Sequence, residues 1–169
     1  MKLRAFDPNR DFEEIRDWIT DERTHRMWCG NCFAFPLEKE NFREALSGFM
    51  ERYGDVPFLA VSDEGEAEGF ISCAPDPERR ECLLKFVVVK PERRGTGAAR
   101  EMLRLAVEYA FANMDAQVVR LNVFLENHRA RKCYENAGFT ERCTTLDAFP
   151  YGDERWGKCE MIVKKPEKE

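Results

Sequence analysis

Ala99, Met102, Leu103, Ala106 and Ala110 recur at three- and four-residue spacing, which lays one apolar stripe along an α-helix. Just before it, residues 82–89 (CLLKFVVV) form a nearly unbroken apolar run rich in β-branched side chains. That is the pattern of a strand buried on both faces, and Pro91 stops it. Residues 118–124 (VVRLNVF) set Val119, Leu121 and Val123 against Arg120 and Asn122, the period of a strand. Ala130, Cys133, Tyr134 and Ala137 mark a further helix closed by Gly138. Two more strands follow near 139–146 and 154–163.

Earlier in the chain, residues 2–6 read as a short strand. Phe12, Ile15 and Ile19 fall at helical spacing after Pro8-Asn9, which predicts a first helix. Phe42, Leu46, Phe49 and Tyr53 predict a second, closed by Gly54. Residues 24–36, with Trp28, Gly30, Asn31 and Pro36, have no clear period and read as a loop. Two apolar runs around Asp63-Glu64-Gly65-Glu66 predict a β-hairpin. The element order β-α-α-β-β-β-α-β-α-β-β holds one strand–helix–strand crossover among antiparallel hairpins. The expected fold is a mixed α/β sheet, mostly antiparallel, with helices on both faces.

Composition narrows the function classes. A chain of 169 residues suits one domain with its own core, and residues 1–169 are expected to form it. The formal net charge is -5 and the basic residues are scattered, so no stripe exists for a nucleic-acid partner. No stretch approaches the ~20 apolar residues that span a bilayer, and the N-terminal residues carry no apolar targeting segment. No membrane partner and a cytoplasmic location are expected. The seven cysteines, an odd number, read as free thiols.

The chemistry concentrates in residues 85–103 (KFVVVKPERRGTGAAREML). A buried strand runs into a turn with Gly95 and Gly97, and a helix starts at once. Glycines let a backbone approach a ligand closely. The first helical turn leaves N–H groups unpaired and favours an anion, and Arg93, Arg94 and Arg100 add positive charge. From these residues alone a phosphate site and a plain surface turn both stand. The Gly-Lys-[Ser/Thr] ending of a phosphate loop is absent, and Arg100 stands where a dinucleotide fingerprint needs its third glycine.

Arg94, Gly97 and Ala99 in this turn resemble the acetyl-CoA pyrophosphate motif of the GNAT family of N-acetyltransferases. Residues 121–139 (LNVFLENHRARKCYENAGF) resemble that family's second motif through Asn127, Ala130, Tyr134, Gly138 and Phe139. The resemblance implies a splayed parallel strand pair at the sheet centre that receives acetyl-CoA. Val87, Val88 and Val89 would offer backbone groups to the pantetheine arm. The N–H groups of Gly95, Thr96, Gly97, Ala98, Ala99 and Arg100 would hold the pyrophosphate. Asn127 would bond the pantetheine while capping its helix, and Tyr134 would act as the general acid. Some relatives carry a carboxylate base where this chain has Asn122. Glu81, Glu126 and a water chain to solvent stand as alternatives.

Residues 25–32 (HRMWCGNC) admit redox, metal and acceptor-binding readings. A zinc site needs about four ligands, and His128 is the one histidine besides His25, so no metal is expected. The family places a variable loop over the acceptor here, which gives Trp28 to the acceptor. The expected function is acetyl transfer from acetyl-CoA to a small-molecule amine, polyamine- or aminoglycoside-like, by direct attack in a ternary complex. A peptide or protein amine, and a non-catalytic CoA-binding domain, are the alternatives. A homodimer is left open.

Overall fold

The computed structural model describes residues 1–167. Strands β1 (Lys2–Ala5), β2 (Val56–Val61), β3 (Ala67–Asp76), β4 (Glu81–Val89), β5 (Val118–Phe124), β6 (Thr140–Tyr151) and β7 (Glu154–Lys164) form one sheet. Their order is β1-β2-β3-β4-β5-β7-β6. Every neighbouring pair is antiparallel except β4–β5. Five helices connect them: α1 (Pro8–Ile15), α2 (Glu22–Cys29), α3 (Lys39–Tyr53), α4 (Ala98–Asn113) and α5 (His128–Asn136). Among the described residues no helix is long and apolar enough to cross a membrane.

Strand alternation sorts the core into two layers. Ile71 and Cys73 pack with Met102, Leu103 and Ala106 of α4. Phe70, one residue along, faces the opposite way and packs with Phe12, Phe42 and Leu46 of α1 and α3. This second layer is aromatic: Phe6 meets Phe70 edge-on at 4.8 Å, and Phe33 lies 4.6 Å from Phe86.

Two expectations are corrected here. Residues 22–29 are helical rather than part of a loop. Asp21 caps the helix by accepting from the Thr24 N–H at 2.8 Å, and Gly30 ends it with φ 58. The buried face is His25 and Cys29, one turn apart, and neither registers as strongly apolar in a sequence pattern. The first helix also stops at Ile15, so the Ile19 that continued its spacing lies beyond it.

The parallel pair is short. Its register runs from Glu81 opposite Val118 to Leu84 opposite Leu121 and then ends. Past that point β4 stays with β3, while β5 stays with β7, with Asn122 opposite Glu160 and Phe124 opposite Lys158. A β-bulge marks the parting. Phe70 faces Val88 and Ser72 faces Lys85, so Ile71 stands opposite two residues. One of them, Phe86, has φ 57, a conformation costing a side-chain-bearing residue about 1–2 kcal/mol. Its ring is held by Phe33 and Phe49, which offsets that cost.

Candidate active site

Where β4 and β5 part, a cleft of about 630 Å³ opens. Val87, Val88 and Val89 of β4 form one wall, and Asn122, Val123 and Phe124 of β5 the other. Ala99 of α4 and Asn127, Ala130 and Tyr134 of α5 close one side. Thr24, Met27, Trp28 and Cys29 of α2 close the opposite side, so the segment expected to be a loop supplies a rigid helical wall.

The helix start of α4 has the form of an anion site. Gly97 (φ 89) precedes the helix with no side-chain cap, and Gly95 has φ 76. The first helical hydrogen bond runs from Glu101 N–H to the Gly97 carbonyl at 3.1 Å, leaving the N–H groups of Ala98, Ala99 and Arg100 without helical partners. A Cβ built on Gly95 or Gly97 meets nothing within 4 Å, so space lies open before the turn. The Thr96 hydroxyl donates to the Arg93 carbonyl at 2.7 Å and holds the turn's shape.

The expected cofactor residues therefore divide. Val87, Val88, Val89, Arg94, Ala99 and Asn127 line the cleft. Gly95, Thr96, Gly97, Ala98 and Arg100 lie outside its lining, in the turn and first helical residues. Ala98 is buried, so only its backbone can serve a ligand. Arg93 is engaged elsewhere, paired with Glu68 at 2.9 Å. Arg94 donates to the Trp18 carbonyl at 2.6 Å, which pins it at the cleft edge. Asn127 caps α5 by accepting from the Ala130 N–H at 3.2 Å.

Tyr134 is the buried residue of α5, 8% exposed, and lines the cleft. Burial pushes its phenol above the ordinary value of 10, so it stays protonated across the physiological range and keeps an O–H to donate.

The carboxylates named as bases stand apart. Glu81 lies in the paired section of β4, gripped by Arg142 at 2.8 and 3.1 Å and by Arg120 at 3.1 Å. The Arg142 guanidinium holds its carboxyl below the ordinary range. Neither Glu81 nor Glu126 lines the cleft. Among the described residues no carboxylate and no histidine does; the charged side chains lining it are Lys85, Arg94, Arg129 and Lys158.

Residues 25–32 are structural in part. His25 is fully buried, with Nε2 3.0 Å from the Phe33 carbonyl. Burial pushes the Cys29 thiol up to about 12, so it stays protonated and is a poor nucleophile and ligand, whereas Cys32 is exposed. No cluster of three or more metal-ligating side chains occurs among the described residues. Sequence reasoning missed the ion pair of Lys85 with Asp55 beneath the cleft, which joins residues thirty positions apart.

A parallel pair opened at one end, an uncapped helix start beside it and a phenol on the following helix are features suited to acyl transfer. The profile of the acetyltransferase (GNAT) family matches residues 12–139, and the chain belongs to that family, whose members use acetyl-CoA. The chain is 32% identical over 63 residues to the spermidine N(1)-acetyltransferase of Vibrio cholerae, a segment covering 37% of this chain and 36% of that enzyme. It is 25% identical over 139 residues to the prophage-derived uncharacterized N-acetyltransferase YokL of Bacillus subtilis, covering 82% and 75% of the two chains. In fold it is similar to the Vibrio cholerae spermidine N-acetyltransferase solved with CoA and spermine. The TM-score is 0.80 at 21% identity, covering 96% of this chain and 94% of the other.

Proposed function

We propose that this chain transfers the acetyl group of acetyl-CoA to a primary amine of a small molecule by direct attack in a ternary complex. The observation that carries the reading is Tyr134, a buried phenol lining a cleft beside the uncapped start of α4. In this reading the pantetheine arm runs along Val87–Val89 and Asn127, and the pyrophosphate meets the N–H groups of residues 95–100. The amine nitrogen attacks the thioester carbon, the C–S bond breaks, and the sulfur leaves as thiolate. Burial holds the phenol above a thiol's ordinary value of ~8.5. Tyr134 therefore stabilises the developing thiolate mainly as a hydrogen-bond donor, and the thiolate regains a proton from solvent.

The attacking ammonium must first lose its proton. With no carboxylate or histidine among the described residues lining the cleft, water carries that proton away, and acceptor molecules that are already neutral react. The spermidine enzyme among the relatives makes polyamines the first acceptors to test. The four cationic side chains lining the cleft favour a second reading, in which the acceptor pairs its amine with an anionic group. Self-association is part of the same proposal in its simplest form, a homodimer. Strand β6 supports it, exposed on both faces with Leu146 73% exposed.

The deciding experiment is thiol release from acetyl-CoA across polyamines, aminoglycosides, amino acids and short peptides. Turnover on one small-molecule class, lost in Tyr134→Phe, is the expected result. CoA binding with no turnover on any amine would favour a non-catalytic binding domain and overturn the proposal.

A further inference from the structure

The four cations that line the cleft do not share one side of it. Leu84, Leu121, Val123 and Cys159 belong to the layer packed with α4. Strand alternation turns Lys85, Asn122 and Lys158 to the opposite face, toward α2 and α3. For Lys85 the contacts agree, since its ammonium sits over the Phe49 ring of α3. Arg94 precedes α4, and Arg129 follows the Asn127 cap in the first turn of α5. Those two therefore flank the helix start given above to the cofactor. Lys85 and Lys158 flank the half left to the acceptor.

The two lysines differ. Lys85 is paired with Asp55, so its charge is already balanced. Lys158 is exposed. Glu160, two residues along the same face of β7, is held by Arg120 and Arg142, and Glu154 is held by Arg23. Lys158 is left with no ion-pair partner among the described residues. Asn122 stands diagonal to it across the β5–β7 ladder, a spacing that long side chains bridge. Asn122 is exposed although its strand is central, because β4 leaves β5 one residue earlier, at Leu121.

An unpaired ammonium and an amide N–H donor on one wall suit a monoanion that accepts hydrogen bonds, as a carboxylate does. The same wall disfavours a polycation. It presents positive charge and no carboxylate, and like charges brought together reject a ligand.

We infer that the acceptor is a small amine that also carries a carboxylate, an α- or ω-amino acid. Lys158 holds the carboxylate with Asn122 beside it, and the amine points into the gap between β4 and β5. The inference rests on the acetyl-transfer reading above and ranks amino acids ahead of polyamines as acceptors.

Thiol release with ω-amino acids, alkylamines and diamines of matched chain length compares anionic, neutral and cationic tails on one amine, and α-amino acids extend the series. The expected kcat/KM falls in that order. A hydrogen bond to a charged group is worth about 10–100-fold. Lys158→Met should narrow the advantage of the carboxylate over the alkylamine by that factor, mainly through KM. Lys158→Glu should invert the order in favour of the diamine. Calorimetry of the same compounds on the CoA complex ranks them without turnover. A carboxylate preference in binding that Lys158→Glu removes, with no turnover on any amine, would uphold the carboxylate site and reject the acetyl-transfer reading. A wild-type protein that prefers diamines or spermidine would overturn the inference. So would a carboxylate advantage untouched by Lys158→Met, or no binding of any amino acid.

Discussion

Lys85 Nζ stands 2.5 Å from Asp55 Oδ2, and its ammonium lies 4.2 Å from the ring centre of Phe49. Asp55 is 3% exposed, and burial raises its carboxyl above the ordinary range. The charge pair is therefore enclosed between α3 and β4, directly under the wall that Lys85 gives to the cleft.

Breaking such a pair from one side leaves a buried charge uncompensated, which typically costs 3–5 kcal/mol. Asp55→Asn should destabilise the protein by about 3 kcal/mol, the low end, because Lys85 keeps some solvent access. Lys85→Met together with Asp55→Asn should recover much of the loss. Denaturant unfolding of both singles and the double measures the coupling, and additive effects would mean the two groups are independent.

Gly97→Glu should abolish CoA binding. It places a negative side chain in the open space before the α4 helix start, at φ 89. Gly97→Ala shares the backbone strain, about 1 kcal/mol, but adds no charge. It should bind CoA more weakly than wild type yet measurably. Calorimetry on the three proteins separates charge from conformation.

Tyr134→Phe should keep the fold and the CoA affinity and lose about 10²–10³-fold in kcat, as expected for a lost hydrogen-bond donor to developing charge. Stopped-flow thiol release measures it. Full turnover would reduce the phenol to packing against Phe139.

The pH profile follows from the cleft's lining. With no carboxylate or histidine among the described residues lining it, kcat/KM should climb with pH up to the acceptor's own amine pKa, near ~10 for an alkylamine. Changing the acceptor should move the profile with it. A plateau reached at the same pH near 6 for every acceptor would reveal a base on the protein.

Glu81 gives a separate acid signature. Arg142 lowers its folded pKa below the ordinary 4.5, so the carboxylate binds protons more weakly when folded. Its contribution to stability is full above the unfolded value and is lost as pH falls through the folded one. Thermal melts of wild type should drop faster than those of Glu81→Gln as pH falls below 4.5, with kcat/KM at neutral pH little altered.

The sequence pattern made most of the fold legible because most elements carry strong, local periodicity. The stripe of Ala99, Met102, Leu103 and Ala106 is the same surface that packs on Ile71 and Cys73. Helix α2 was illegible because its buried face is a histidine and a cysteine. The extension of α1 to Ile19 followed a spacing that the chain abandons after Ile15. The turn and helix start proposed to meet the cofactor were legible for a related reason: they depend on backbone near two glycines and on residues close in sequence. The pairing of Lys85 with Asp55 and the grip of Arg142 on Glu81 depend on contacts between distant segments. No window of the sequence contains both partners.

The short parallel ladder also limits what the cleft can admit. Behind its narrow end lie four paired residues, Glu81–Leu84 against Val118–Leu121, roughly 10 Å of strand at about 3.3 Å per residue. That stretch is stitched across β4, β5, β6 and β7 by Arg120 and Arg142 on Glu81 and Glu160. Deepening the gap means unzipping ladder bonds and pulling apart a shared charge cluster together. The two strands thus act as the jaws of a clamp with a riveted pivot. In the acetyl-transfer reading proposed above, that pivot would set the depth open to the acyl group.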